Sequence, residues 1–119
     1  MSLANRFPNS VFGEWSHWYT CLECGSNKGD ALHHIISPSN KHYTKGNHNR
    51  SVLNSALLCN FKCHLYNPEL HKEYKTRDFL GKTFMIMTNN GYQLKEIDHK
   101  FIENYKHLYY EKRGNKKND

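Results

Sequence analysis

Long apolar runs are missing from this chain. No stretch approaches the roughly 20 apolar residues that a membrane-spanning helix needs, and residues 1–9 hold no apolar run of the kind that opens a secretory signal. Apolar residues of every kind are scarce: they make up 37% of 119 residues, with a mean hydropathy of -0.90. A domain this small and this polar cannot rest on apolar burial alone, so it calls for a staple. Carboxylates are scarce as well, 11 against 17 Lys and Arg, which leaves a net charge of +6 and a pI near 9.2. That imbalance turns the chain toward a polyanionic partner. Cysteines number four, in two close pairs, Cys21/Cys24 and Cys59/Cys63. Close pairs suit a zinc ion better than disulfides, which tend to link distant segments of secreted chains. Together these features describe a soluble, intracellular (cytoplasmic) protein in a reducing compartment, with one domain and no membrane partner.

What is present falls into a simple order. Residues 1–14 carry the turn formers Asn5, Pro8, Asn9 and Gly13 and read as an N-terminal arm that packs only in part. The domain proper is expected over residues 15–111. Cys21 to Cys24 form a tight knuckle in which Gly25 lets the backbone turn so that both thiols face one ion. Residues 31–36 read as a strand, residues 37–50 as an irregular polar loop, and residues 52–58 as a second strand ending at the second cysteine pair. Beyond Cys63 the period becomes helical. One helix opens near Pro68, with Leu70, Tyr74, Arg77, Leu80 or Gly81, Phe84 and Met87 along a face, and stops at Asn89-Asn90-Gly91. Another covers residues 95–111 with Ile97, Phe101, Tyr105 and Leu108 on one side, and residues 112–119 form a charged, disordered basic tail.

The chemistry lies in residues 21–64 taken as a unit: Cys21-x-x-Cys24, Leu32-His33-His34-Ile35, Asn54, then Leu58-Cys59-x-x-x-Cys63-His64. Two cysteine pairs clamp a strand, loop and strand whose notable polar side chains are those His and Asn residues. This arrangement resembles the HNH (ββα-metal) endonuclease family, with a looser likeness of the helical remainder to small phage-encoded HNH proteins. The resemblance implies an α+β fold: a small zinc-stapled ββα-metal core, made of a short β-hairpin plus helix, followed by additional C-terminal helices. It implies His33 and His64 as ligands of a catalytic divalent ion such as Mg²⁺ or Mn²⁺, His34 as general base, and Asn54 as the residue that orients it. Cys21, Cys24, Cys59 and Cys63 then hold a structural Zn²⁺, and DNA is the partner. The second cysteine pair departs from the family's usual Cys-x-x-Cys by one residue, so Asn60 competes with Asn54 for its role.

Elementary chemistry gives these roles content. A neutral imidazole can take a proton from water at neutral pH, a divalent ion can neutralise charge at a phosphate, and an amide can fix the tautomer of the base. Side chains alternate along a strand, so His33 and His34 point to opposite faces unless the strand bends, or else metal and substrate are approached from the edge. His71, seven positions beyond His64, is a reserve third ligand. In the loop, Lys41, Lys45 and Arg50 are candidates to touch DNA phosphates. Lys72, Lys75, Arg77 and Lys82 are either backbone contacts or solubilising charge. A rival reading keeps the cysteine frame and the charge but not the cutting: a zinc-ribbon-like module that only grips nucleic acid. A third reading is a phage assembly factor that meets protein partners.

Overall fold

The computed structural model describes residue 7, residues 9–36 and residues 51–109. A short antiparallel hairpin lies at its centre. β1 (Ala31–His34) pairs with β2 (Ser55–Leu58) in the register Ala31↔Leu58, Leu32↔Leu57, His33↔Ala56 and His34↔Ser55. Helices surround it: α1 (Asn9–Glu14), α2 (Glu73–Asn89), α3 (Glu96–Asn104) and α4 (Lys106–Tyr109). The chain is thus a small mixed fold of helices around a two-stranded antiparallel sheet. No helix among the described residues is long and apolar enough to cross a membrane.

Both strands are shorter than the sequence suggests. Residues 52–54 form a 3₁₀ turn rather than the start of β2, because Ser51 caps them: its hydroxyl oxygen accepts the Leu53 N–H at 3.1 Å. Ile35 and Ile36 leave the ladder yet stay buried. The whole of β2 is buried, with Leu58 and Ala56 fully sealed, as expected of a strand covered on both faces.

The stretch expected to be a loosely packed arm carries α1. Val11 and Trp15 are buried together with Phe7, and the Trp15 indole N–H donates to Ser55 Oγ at 2.8 Å. Apolar burial overrides the turn-forming character of Asn9 and Gly13 here.

α2 begins at Glu73, later than Pro68 suggests. Its buried side chains are Phe79, Leu80, Thr83 and Met87, so the inward face is rotated from the expected one, and Tyr74 is exposed. Thr83 Oγ1 donates to the Ser55 carbonyl at 2.7 Å, tying helix to strand. The helix stops at Asn89-Asn90-Gly91 as expected. Gly91 has φ +91°, and the Tyr92 and Gly91 N–H groups return to the Met87 and Thr88 carbonyls, which is the Schellman pattern. The last expected helix is two, broken at the buried Tyr105.

Candidate active site

Four thiols converge beside the hairpin. Cys21 and Cys24 come from the knuckle before β1, Cys59 directly follows β2, and Cys63 sits in a π-helical turn over Asn60–Leu65. All four Sγ atoms lie within 4.8 Å of one another. A tetrahedral zinc–thiolate site places sulfurs roughly 3.8 Å apart, as follows from bonds of about 2.3 Å, so a small contraction would seat an ion. The extra residue in the second pair is absorbed by the wide π turn, whose Tyr66 N–H bonds the Phe61 carbonyl at 2.9 Å.

The knuckle is built for charge on sulfur. The N–H groups of Glu23 and Cys24 point at Cys21 Sγ at 3.4 and 3.5 Å, and Gly25 takes φ +79° to close the turn. Ser26 holds the Cys24 thiol down at about 6, through its side-chain and then its main-chain hydrogen bond. Burial pushes the Cys63 thiol up, and its cysteine neighbours add to the effect. One thiol therefore ionises readily and another keeps its proton until a cation displaces it. This donor set fits a soft-ligand ion, and among the described residues it is the one group of three or more side chains whose ligand atoms so converge.

Bracing fixes the knuckle to the rest. The Leu22 N–H donates to the Leu57 carbonyl at 2.9 Å and the Asp30 N–H to Leu58 at 3.1 Å. Lys75 Nζ meets Glu23 at 2.7 Å in a mostly buried pair, and Lys82 Nζ donates to the Leu22 carbonyl at 2.9 Å. Arg77 pairs with Glu73 at 2.9 Å and donates to the Leu108 carbonyl at 3.3 Å, while Lys72 pairs with Glu69 at 3.3 Å. The basic residues of α2 and its entry are thus engaged within the chain itself.

Comparisons with known protein families, with curated proteins and with solved structures return no match.

A second cluster is aromatic. His33, 2% exposed at the middle of the hairpin, has the His64 ring 5.4 Å away, the His71 ring 5.2 Å away and Phe79 at 5.9 Å. His33 Nε2 and His64 Nδ1 are buried and hydrogen-bond to no described residue. Burial first, then the neighbouring His71, His64 and His34, pushes His33 down to about 3. Burial and then His71 lower His64 as well. Both rings are neutral at physiological pH, so each has one ring nitrogen able to accept rather than donate.

The structure brings His33, His64 and the reserve ligand His71 together, and separates His34 from them. As strand alternation requires, His34 turns to the other face, where its ring stacks on Phe7 at 3.9 Å. Nothing in the sequence near residue 7 signals that contact, since it joins segments far apart in the chain.

Asn54 acts differently from its expected role. It is fully buried, and both ends of its amide engage the main chain of Ile36: Oδ1 accepts the Ile36 N–H at 2.7 Å, and Nδ2 donates to the Ile36 carbonyl at 3.1 Å. Asn54 therefore holds the strand end that carries His34, where the sequence leads one to expect a hold on the ring. The rival Asn60 contributes its main-chain N–H to the Asp30 carboxylate at 2.8 Å, locking the start of the π turn to the start of β1. Lys41, Lys45 and Arg50 lie outside the described residues, as does the 112–119 tail.

Proposed function

We propose that this chain is an HNH-type (ββα-metal) endonuclease that hydrolyses DNA phosphodiesters with a histidine base and one divalent ion. One observation carries the reading. Two buried imidazole nitrogens without hydrogen-bond partners among the described residues, on His33 and His64, sit in rings 5.4 Å apart. Leaving such polar atoms buried and unmet is costly, and a cation drawn between the two rings would meet both once their nitrogens close on it as the thiols already do on one another. His33 and His64, with His71 beside them, would hold a divalent ion such as Mg²⁺ or Mn²⁺, which supplies positive charge for the scissile phosphate and the departing 3′ oxygen.

The chain's own residues do the rest. His34 takes the proton of the attacking water, working from the other face of β1, so the phosphate must lie across the strand's end rather than over the sheet. Asn54 keeps that end in place through Ile36. The four thiols hold a structural zinc that fixes the π turn, and with it His64, against the hairpin. DNA is gripped by charge, and Lys41, Lys45 and Arg50 are assigned to its phosphates.

A second reading is favoured by the thiols being the convergent ligand group: a zinc-ribbon-like module that binds nucleic acid without cutting it. Supercoiled plasmid incubated with and without Mg²⁺ or Mn²⁺ separates the two. The nuclease nicks or linearises it with 5′-phosphate ends. His34→Ala lowers the rate by about two to four orders of magnitude while Mn²⁺ still binds, and His64→Ala or His71→Ala weakens Mn²⁺ binding. A parent that cuts no duplex, branched or single-stranded DNA with any common divalent ion leaves the binding module.

A further inference from the structure

Seven large hydrophobic side chains are exposed among the described residues, and three of them, Phe61, Leu65 and Tyr66, share the π turn. They are 62%, 57% and 74% exposed. Single exposed apolar residues need no explanation, but a contiguous group marks a surface with a partner. In a chain this poor in apolar residues, folding has no use for three of them on the outside of one short turn.

The patch has order. The Phe61 and Tyr66 rings lie 6.2 Å apart and 19° from parallel, so they form a stacked pair that is itself largely exposed. The backbone beneath them is fixed from inside: Cys63 is buried in the thiol cluster, the Tyr66 N–H closes the turn on Phe61, and Asn67 Nδ2 ties the Cys63 carbonyl and Glu23 at 3.2 Å each. A rigid aromatic surface loses little entropy when something stacks on it.

Charge narrows the choice of partner. Residues 59–68 contain no carboxylate of their own, and the turn carries the exposed Lys62. The two carboxylates that reach it from elsewhere are engaged, Asp30 by the Asn60 N–H and Glu23 by Lys75 and the Asn67 amide. His64 belongs to the same turn, so whatever lies on the patch is close to the imidazole cluster. Exposed rings in a turn that carries a cation suit nucleobases whose backbone passes the cation, since every base offers a π face and every phosphate a charge.

We propose that Phe61 and Tyr66, with Leu65, form a stacking platform for unpaired bases, so that the preferred substrate is single-stranded or locally opened DNA rather than intact duplex. The link to cleavage rests on the nuclease reading, but base binding is tested without it. The probes are a fluorescein-labelled thymidine oligonucleotide of about 15 nucleotides, an abasic oligonucleotide of equal length and a duplex of equal length. Anisotropy is read on the zinc-loaded protein with no Mg²⁺ or Mn²⁺ added.

The parent should bind the thymidine strand more tightly than the abasic strand. Tyr66→Ala and Phe61→Ala should each weaken thymidine binding roughly five- to a hundredfold, with abasic and duplex binding and the salt slope unchanged. Tyr66→Phe should bind as the parent does, whereas Phe61→Leu, apolar but without a ring, should lose affinity. Equal binding of abasic and thymidine strands overturns the proposal, as does full affinity in Phe61→Leu. It is equally overturned if sedimentation shows a dimer that Tyr66→Ala dissociates while oligonucleotide affinity stays unchanged, since the patch would then be covered by a second copy. Thymidine binding of the expected pattern in a protein that cuts nothing leaves the platform standing and removes the nuclease.

Discussion

The Phe7 ring lies flat on the His34 imidazole, with centroids 3.9 Å apart and planes 10° from parallel. Phe7 is buried, so the stack fixes the plane of the proposed base from a segment remote in sequence. Phe7→Leu keeps an apolar side chain there and removes the plane. The expected outcome is a folded protein in which the His34 ring protons lose their upfield ring-current shift by NMR, and single-turnover cleavage slows about tenfold or more. Phe7→Tyr should keep both. An unchanged shift and rate in Phe7→Leu would show that the stack positions nothing.

Metal removal should act on the fold. About one zinc per chain is expected by elemental analysis, and a strong chelator should lower the melting temperature sharply. Cys63→Ser, at the buried corner of the cluster, should cost on the order of several kcal/mol. His34→Ala should melt close to the parent. A zinc-free protein whose melting ignores the chelator would mean that the thiols are only packed.

Asp98 is a fully buried carboxylate on α3. It accepts the Ser51 hydroxyl at 2.7 Å, the Lys95 N–H at 2.8 Å and the Tyr92 hydroxyl, so α3 is latched to the turn that starts β2. Asp98→Ala should destabilise by about 3 kcal/mol and Tyr92→Phe by about 1–2 kcal/mol, measured by urea unfolding. Burial, and then the bond to Asp98, carry the Tyr92 hydroxyl above its ordinary range. An unfolded tyrosine releases its proton near pH 10 and the folded one later, so above pH 10 the unfolded state binds fewer protons and stability falls as pH rises. Tyr92→Phe should flatten that alkaline limb, and an identical limb in both proteins would sink the assignment.

Gly29 has no room for a side chain. A Cβ there would lie 2.7 Å from Leu57 Cδ2 and 2.8 Å from the Tyr19 carbonyl oxygen. Gly29→Ala should cost about 1–3 kcal/mol and, because Asp30 begins the strand contact to Leu58, loosen the zinc site. Calorimetry and zinc affinity check it. A melting temperature matching the parent's would show that the chain shifts freely.

The parts legible in the sequence are those that local spacing determines. Cys21 and Cys24 announce a knuckle, and the two cysteine pairs do converge. Strand alternation foretells that His33 and His34 part company, and Gly91 marks where α2 ends. What was not legible depends on contacts between distant segments. The Val52–Asn54 turn exists because Ser51 is held by Asp98, 47 residues away. The Asn54 amide found the Ile36 backbone instead of the His34 ring because the 3₁₀ turn rotates it toward the end of β1. α1 was hidden because its burial depends on Val11 and Trp15 entering the core and on Trp15 reaching Ser55, 40 residues away. The basic side chains of α2 read as a charged face until Glu23 and the Leu22 carbonyl are brought alongside them.

The Asn54–Ile36 clamp also bears on how such a chain can change over evolutionary time. Because one side chain fastens the exit of β1 to the entry of β2, the two strand ends are tied directly to each other as well as through the residues that connect them. Doubling the length of a connecting segment costs only about 0.6 kcal/mol in closure entropy. A tie of this kind leaves the length of the connection free to drift through evolution while the hairpin it joins stays in register.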